Sequence, residues 1–269
     1  MRPWPADDGA LVRIRLVGGR LPASALAELG AVAERFGDGD LHLTARANLQ
    51  LRALPAIDGA LPDEVVEAIE ATGLLPSRTH ELARNVLVSP QTGLAGGRAD
   101  LRPVAAELDR LLCAEPRLAA LPGRFLFTLD DGRGDLVGRD TDLGLVALDG
   151  DYAQLRIGSA GWGAIVSMAD APAALVALAL DFLDGRGHGD GAAWHIDELP
   201  APFATWVSPD PRTDVSSPPL PHGRVPGGDH VAAPDGVLGR DLVADLTRAA
   251  EQVLVVTPWR GVLVPEERP

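Results

Sequence analysis

Residues 41–51 read LHLTARANLQL. Leu41, Leu43, Ala45, Ala47, Leu49 and Leu51 alternate with His42, Thr44, Arg46, Asn48, Gln50 and Arg52, the two-residue period of a strand with one buried face. The spacing predicts one strand over 41–52, with Arg46 in the middle of a run of six polar positions. Working back, Leu26, Leu29, Val32, Ala33 and Phe36 fall at helical spacing over 22–36, opened by Pro22 and Ser24 and stopped at 37–40, GDGD. Before it, LVRIRLV (11–17) alternates as a further strand. The other end of the chain repeats the arrangement: a helix over 237–250, then VLVVTPWRGVLVP (253–265), with Thr257 and Arg260 in mid-strand as Thr44 and Arg46 are in the first copy. Two helix-and-strand units at opposite ends of the chain pair naturally into one domain, because neither alone buries both faces of its helix.

Between them lies a separate α/β section. RNVLVSP (84–90) is a strand, 100–113 an amphipathic helix with Pro103 in its first turn, and 125–132 and 143–148 strands around an Asp/Gly turn. Residues 152–161 and 162–168 read as a hairpin and 172–184 as a helix, while 63–73 reads as a helix in the leading part. From Glu198 to Gly236 the chain is rich in Pro, Gly, Ser and Asp and reads as a long connection between domains. The expected fold is α+β: a ferredoxin-like domain from two pseudo-twofold halves with an inserted α/β domain. The expected boundaries are 1–79, 80–197 and 198–269.

Composition narrows the function. At 46% hydrophobic and 23% charged residues, the 269-residue chain is a globular protein, and its formal charge of −14 argues against nucleic acid and anionic membranes as partners. The longest apolar run, Ala171 to Leu180, is far short of a bilayer span, and residues 1–9 carry no signal-peptide pattern, so the expected location is the cytoplasm. Cys113 is the single cysteine, which excludes an internal disulfide and a four-cysteine iron–sulfur cluster held by these residues alone. Its position on a helix reads as a small core hydrophobe.

All 24 basic residues are arginine. A guanidinium presents planar paired donors suited to carboxylates. Arg46 leads the candidates, against the alternative of a solvated edge-strand face; few acidic residues accompany it on that face. Arg84, with Asn85 beside it, and Arg124 in LPGRFLF are the others. The aspartates at 130, 131, 135, 140 and 142 read as a solvated hairpin turn rather than a Ca²⁺ loop, and the scattered histidines, His188 and His195 among them, as non-ligands.

LHLTARANLQL (41–51), ARNVLVSPQTG (83–93), LPGRFLFTLDDGRGD (121–135) and VTPWRGVLV (256–264), in this order, resemble the nitrite/sulfite reductase family, and within it the oxidoreductases that act on the precorrin ring in cobalamin biosynthesis. The resemblance implies a ferredoxin-like half, a sirohaem-type domain and a second ferredoxin-like half. It implies sirohaem or a related tetrapyrrole as cofactor or ligand, held by its carboxylates at Arg46, Arg84 and Arg124, with Thr44, Asn48, Gln50 and Asn85 alongside. Leu126 stands where some members have a further basic residue. The family's cluster cysteines lie in a second sirohaem-type domain beyond the TPWRG motif, where these 269 residues end. No [4Fe–4S] cluster is therefore expected from this chain alone. A non-catalytic tetrapyrrole-binding protein, or one subunit of a split enzyme, is the alternative. A second subunit or a homodimer covering the surface that the second sirohaem-type domain covers in the family is the expected partner.

Overall fold

The structure, a computed structural model, describes residues 3–199, 204–250 and 252–266. The chain divides into two units, Met1–Glu81 with Leu220–Pro269, and Leu82–Pro219. The leading part of the first unit runs β1 (Trp4–Ala6), β2 (Gly9–Ile14), a 3-10 turn at Val17–Gly19, β3 (Arg20–Pro22), α1 (Ala23–Phe36), β4 (Leu41–Leu43), β5 (Leu49–Leu54) and α2 (Asp63–Ala71). The second unit follows with β6 (Val86–Val88), α3 (Arg102–Ala114), β7 (Phe127–Asp130), β8 (Leu143–Ala147), β9 (Tyr152–Ile157), β10 (Gly161–Ser167) and α4 (Ala171–Gly185). The chain then completes the first unit with β11 (Gly223–Val225), β12 (Gly228–Ala232), a 3-10 turn at Pro234–Gly236, β13 (Val237–Leu238), α5 (Arg240–Ala249), β14 (Val253–Thr257) and β15 (Gly261–Pro265).

Element for element, the closing part repeats the leading one, and the repeat reaches further upstream than the sequence pattern does, taking in a hairpin and a 3-10 turn. The halves form two five-stranded sheets, ordered β1-β2-β5-β4-β13 and β11-β12-β15-β14-β3. The fifth strand of each comes from the other half: Leu238 pairs with Leu41, and Leu21 with Leu254. This reciprocal exchange makes the two halves one ferredoxin-like domain, the α+β arrangement expected above. Both exchanged strands lead directly into a helix, and the two helices meet at Gly30, where an added Cβ would stand 3.2 Å from Val243. The α1 face at Leu26, Leu29, Val32 and Ala33 is buried.

The expected single strand over 41–52 is instead two antiparallel strands, β4 and β5, joined by a turn at 44–48. Alternation does not distinguish the two cases: Leu41, Leu49 and Leu51 remain buried because the tight turn returns the chain with its apolar side inward. The 253–265 strand is likewise a hairpin, β14–β15.

In the second unit the order is β10-β9-β8-β7-β6, with β6, β7 and β8 parallel and β9 and β10 antiparallel. Residues 131–142 therefore form a crossover and not the expected hairpin turn; Asp/Gly composition marks a loop but says nothing of how its ends pair. Val86, Val88, Phe127, Leu129, Leu143, Leu145, Leu155 and Ile157 share one apolar face, with Phe127 against Phe125 and Phe125 against Phe182 of α4. Thr128, Asp130, Gln154 and Arg156 share the opposite face, which is buried and polar. That face is covered by loops. Gln154 Nε2 donates to Ser208 O at 3.0 Å and its Oε1 accepts from Asp210 N at 2.7 Å, while Ser217 N donates to Gly134 O at 3.0 Å. The expected long connection over 198–236 is thus divided: residues up to 219 belong to the second unit, and 223–232 form the β11–β12 hairpin. Residues 200–203 of it lie outside the described residues. Polar segments held by backbone groups leave no apolar periodicity to read.

Candidate functional site

Arg46 sits on the tight turn between β4 and β5, not on a strand face. Thr44 Oγ1 accepts from Arg46 N at 3.3 Å and from Asn48 N at 3.1 Å, and Ala47 N donates to Thr44 O at 3.1 Å. Ala47 takes the left-handed conformation, φ 56°. Asn48 is buried, its Oδ1 accepting from Leu16 N at 2.9 Å. Thr44 and Asn48 are therefore the fasteners of the turn that presents a half-buried Arg46. Gln50 lies opposite His42 across the hairpin. The face has acidic partners: Asp38 lies 2.8 Å from His42, four residues after it, and the distant Asp8 lies 3.0 Å from Arg52.

The second copy builds the same turn. Trp259 N donates to Thr257 Oγ1 at 3.4 Å, and Arg260 has φ 53°. Position for position, Trp259 matches Arg46, and Arg260 matches Ala47. The two arginines are not equivalents, contrary to the sequence repeat. In this copy the buried His230 bonds Thr257 Oγ1 through Nε2 at 2.8 Å and Pro221 O through Nδ1 at 3.0 Å. Burial holds its pKa below the usual histidine value, and the neighbouring His222 lowers it further.

In the second unit the structure brings the segments of Arg84 and Arg124 side by side. Asn85 Nδ2 donates to Phe125 O at 3.1 Å and Phe127 N donates to Asn85 O at 2.9 Å, so Asn85 is a buried splint between them. Arg84 lies just before β6, its side chain 8% exposed, and grips Asp109 of α3 with Nε at 2.6 Å and Nη2 at 2.9 Å. A carboxylate ligand at Arg84 must compete with Asp109. Arg124 is exposed. Nearby, burial raises the Cys113 thiol pKa, with Asp109 reinforcing it, which favours the neutral thiol over a metal-binding thiolate.

The buried polar face of the second unit holds functional-type groups that sequence reasoning took for a solvated turn. Asp130 accepts from Gly132 N, Gly134 N and Leu136 N, each at 2.9 Å, and Asp131 holds Arg133 at 2.7 Å. Ser89 Oγ donates to Asp135 at 2.7 Å. Burial, reinforced by the charge of Asp130, pushes the Asp135 pKa up to about 7, against the Ser89 bond and Arg133. Arg156 donates to Val137 O, and to Ser159 O at 2.9 Å, and lies over the Trp162 ring at 5.4 Å. The signal available in the sequence was the strand alternation itself, which puts Gln154 and Arg156 on one face of β9.

Comparison with known proteins follows this geometry. Residues 5–59, which span β2 to β5 and carry the Arg46 turn, match the nitrite/sulfite reductase ferredoxin-like half domain. A precorrin-3B synthase from Sinorhizobium sp is 33% identical over 136 residues, 48% of this chain and 27% of that protein. In sequence the chain is similar to nitrite/sulfite reductase-family proteins. The Mycobacterium tuberculosis NirA protein has the same fold: TM-score 0.72 at 21% identity, covering 96% of this chain and 54% of NirA. The chain thus spans only part of the length of both relatives. For a family tetrapyrrole, the fit is uneven among the residues present. Arg84, Thr44, Asn48 and Asn85 serve the fold; Arg46 lies on a turn and Arg124 at the surface. One cysteine cannot supply the thiolates of a four-cysteine cluster.

Proposed function

We propose that this chain binds a polycarboxylate tetrapyrrole, sirohaem or a precorrin, as part of a precorrin-3B synthase-like oxidoreductase of cobalamin biosynthesis. The observation that carries the reading is the 33% identity to a precorrin-3B synthase, joined to a family half domain that presents an arginine on a tight turn. Sirohaem, when bound, supplies a redox-active iron. The chain's own part is charge and position: Arg46 and Arg124 offer paired donors to peripheral carboxylates, and a local cation offsets the repulsion of a protein with a net charge of −14. Arg84 contributes by exchanging Asp109 for the ligand.

A second reading, a carrier or one subunit of a split enzyme, is favoured by the single, half-buried Cys113. A different, second subunit would then hold the cluster thiolates.

The test is visible absorption of the protein expressed with sirohaem and precorrin supply, with iron and acid-labile sulfide assays. A coloured protein whose Arg46→Ala and Arg124→Ala variants bind about tenfold more weakly or worse supports the site, since a charged hydrogen bond contributes about 1.5–3 kcal/mol. Iron without labile sulfide selects the carrier or split-subunit reading. Undiminished uptake in the double variant overturns the site.

A further inference from the structure

After α4 the second unit returns toward the turn that joins β9 and β10, and His195 lies on that return. Its Nδ1 accepts from Asp197 N at 3.1 Å. Its Nε2 is buried and has no hydrogen-bond partner among the described residues, yet it faces Asp140 Oδ1 at 3.4 Å and Asp142 Oδ1 at 3.7 Å. Asp197 Oδ2 stands 3.6 Å from Nδ1. One nitrogen of His195 and one carboxylate oxygen from each of Asp140 and Asp197 lie within 4.8 Å of one another. Ligands about 2.0–2.1 Å from a tetrahedral ion sit about 3.3 Å apart. The 3.4 Å between Nε2 and Asp140 is that spacing.

The surroundings hold these groups in place. Asp197 accepts from Ser159 N at 3.2 Å and from Ser159 Oγ. Asp142, 1% exposed and 3.7 Å from Nε2, accepts from Leu126 N at 2.8 Å and Ile196 N at 3.0 Å. Such outer partners fix the orientation of metal ligands. The imidazole nitrogen is what separates this cluster from an ordinary acidic patch: it selects transition ions over Ca²⁺ and Mg²⁺, which take oxygen.

We propose that Asp140, His195 and Asp197 form a site for one divalent transition ion, Zn²⁺ in first place, which fastens the crossover before β8 to the segment after α4. Ligation through Nε2 leaves the imidazole proton on Nδ1, so the bond from Asp197 N is given up in exchange for the ion. The site is independent of the tetrapyrrole reading.

The experiment is calorimetric titration of the chelator-treated full chain with ZnCl2, with thermal unfolding followed alongside. One Zn²⁺ per chain and a concentration-dependent rise in Tm are expected, because an ion that binds the native state stabilises it by mass action. His195→Gln and the exposed-site variant Asp140→Ala should each weaken Zn²⁺ binding by about tenfold or more. Circular dichroism checks that both fold; if His195→Gln does not, Asp140→Ala decides alone. No saturable Zn²⁺ uptake, uptake unchanged by Asp140→Ala, or Ca²⁺ binding as tight as Zn²⁺ overturns the proposal.

Discussion

Asp135 shows how far a residue's behaviour departs from its letter. Its carboxyl is ordinary in the unfolded chain and raised to about 7 in the native one by burial and by Asp130. The native state therefore holds the proton more tightly. The stability this contributes is fully present below the unfolded value near 4 and is lost as pH rises through about 7. Urea midpoints measured from pH 4 to pH 8 should fall across that window, and Asp135→Asn should flatten the fall; an equal slope in both proteins refutes the assignment. His230 works in the opposite sense. Its depressed pKa adds stability above the unfolded value near 6.5 that is lost as pH falls through the native value. Arg84 changes meaning as well. In the sequence it reads as a cation for a ligand carboxylate. Gripped by Asp109, it is a structural partner, and Arg84→Ala should cost about 1–3 kcal/mol by leaving that carboxylate half-buried and unpaired. Arg124→Ala, at an exposed position, should leave the denaturation midpoint unchanged.

At the scale of elements, the turn at 44–48 and the exchanged strands carry the architecture. Asn48→Ala removes the acceptor for the buried Leu16 N–H and should destabilise by about 1–3 kcal/mol, read from chemical denaturation. Gly19 stands just before β3 with φ +70°, and an added Cβ would lie 2.1 Å from Val256 O. Gly19→Ala must push β3 off β14, so a loss of about 2–3 kcal/mol is expected, with amide exchange raised first at Leu21 and Leu254. Both elements were half legible. The alternation in 41–52 identified Leu41, Ala47, Leu49 and Leu51 as inward but missed that Ala45 is exposed and Asn48 buried, and the repeat identified the right partner segment. The break at Thr44 escaped because the sign it leaves in the sequence, a hydroxyl two and four residues before the backbone groups it caps, is compatible with a continuous strand.

For the whole molecule, the reciprocal exchange predicts that the two ends of the chain are not independent. Residues 1–81 expressed alone should lack a cooperative unfolding transition, because one sheet then misses β13 and β3 has no β14 to join. Adding residues 220–269 should restore it, and a cooperative transition in the short fragment would refute the dependence. What the sequence determined by itself was the five helices, most inward faces, the internal repeat and the family resemblance. These rest on periodicity, turn residues and motif order, which are local and survive in a one-dimensional string. What only the tertiary structure decided was which groups are already spent. Asp109 reaches Arg84 from 25 residues away, Leu16 N takes up Asn48 from 32, and Asp8 reaches Arg52 from 44. A side chain's availability for a ligand depends on such long-range partners and on burial, and neither is written in the spacing of its own segment.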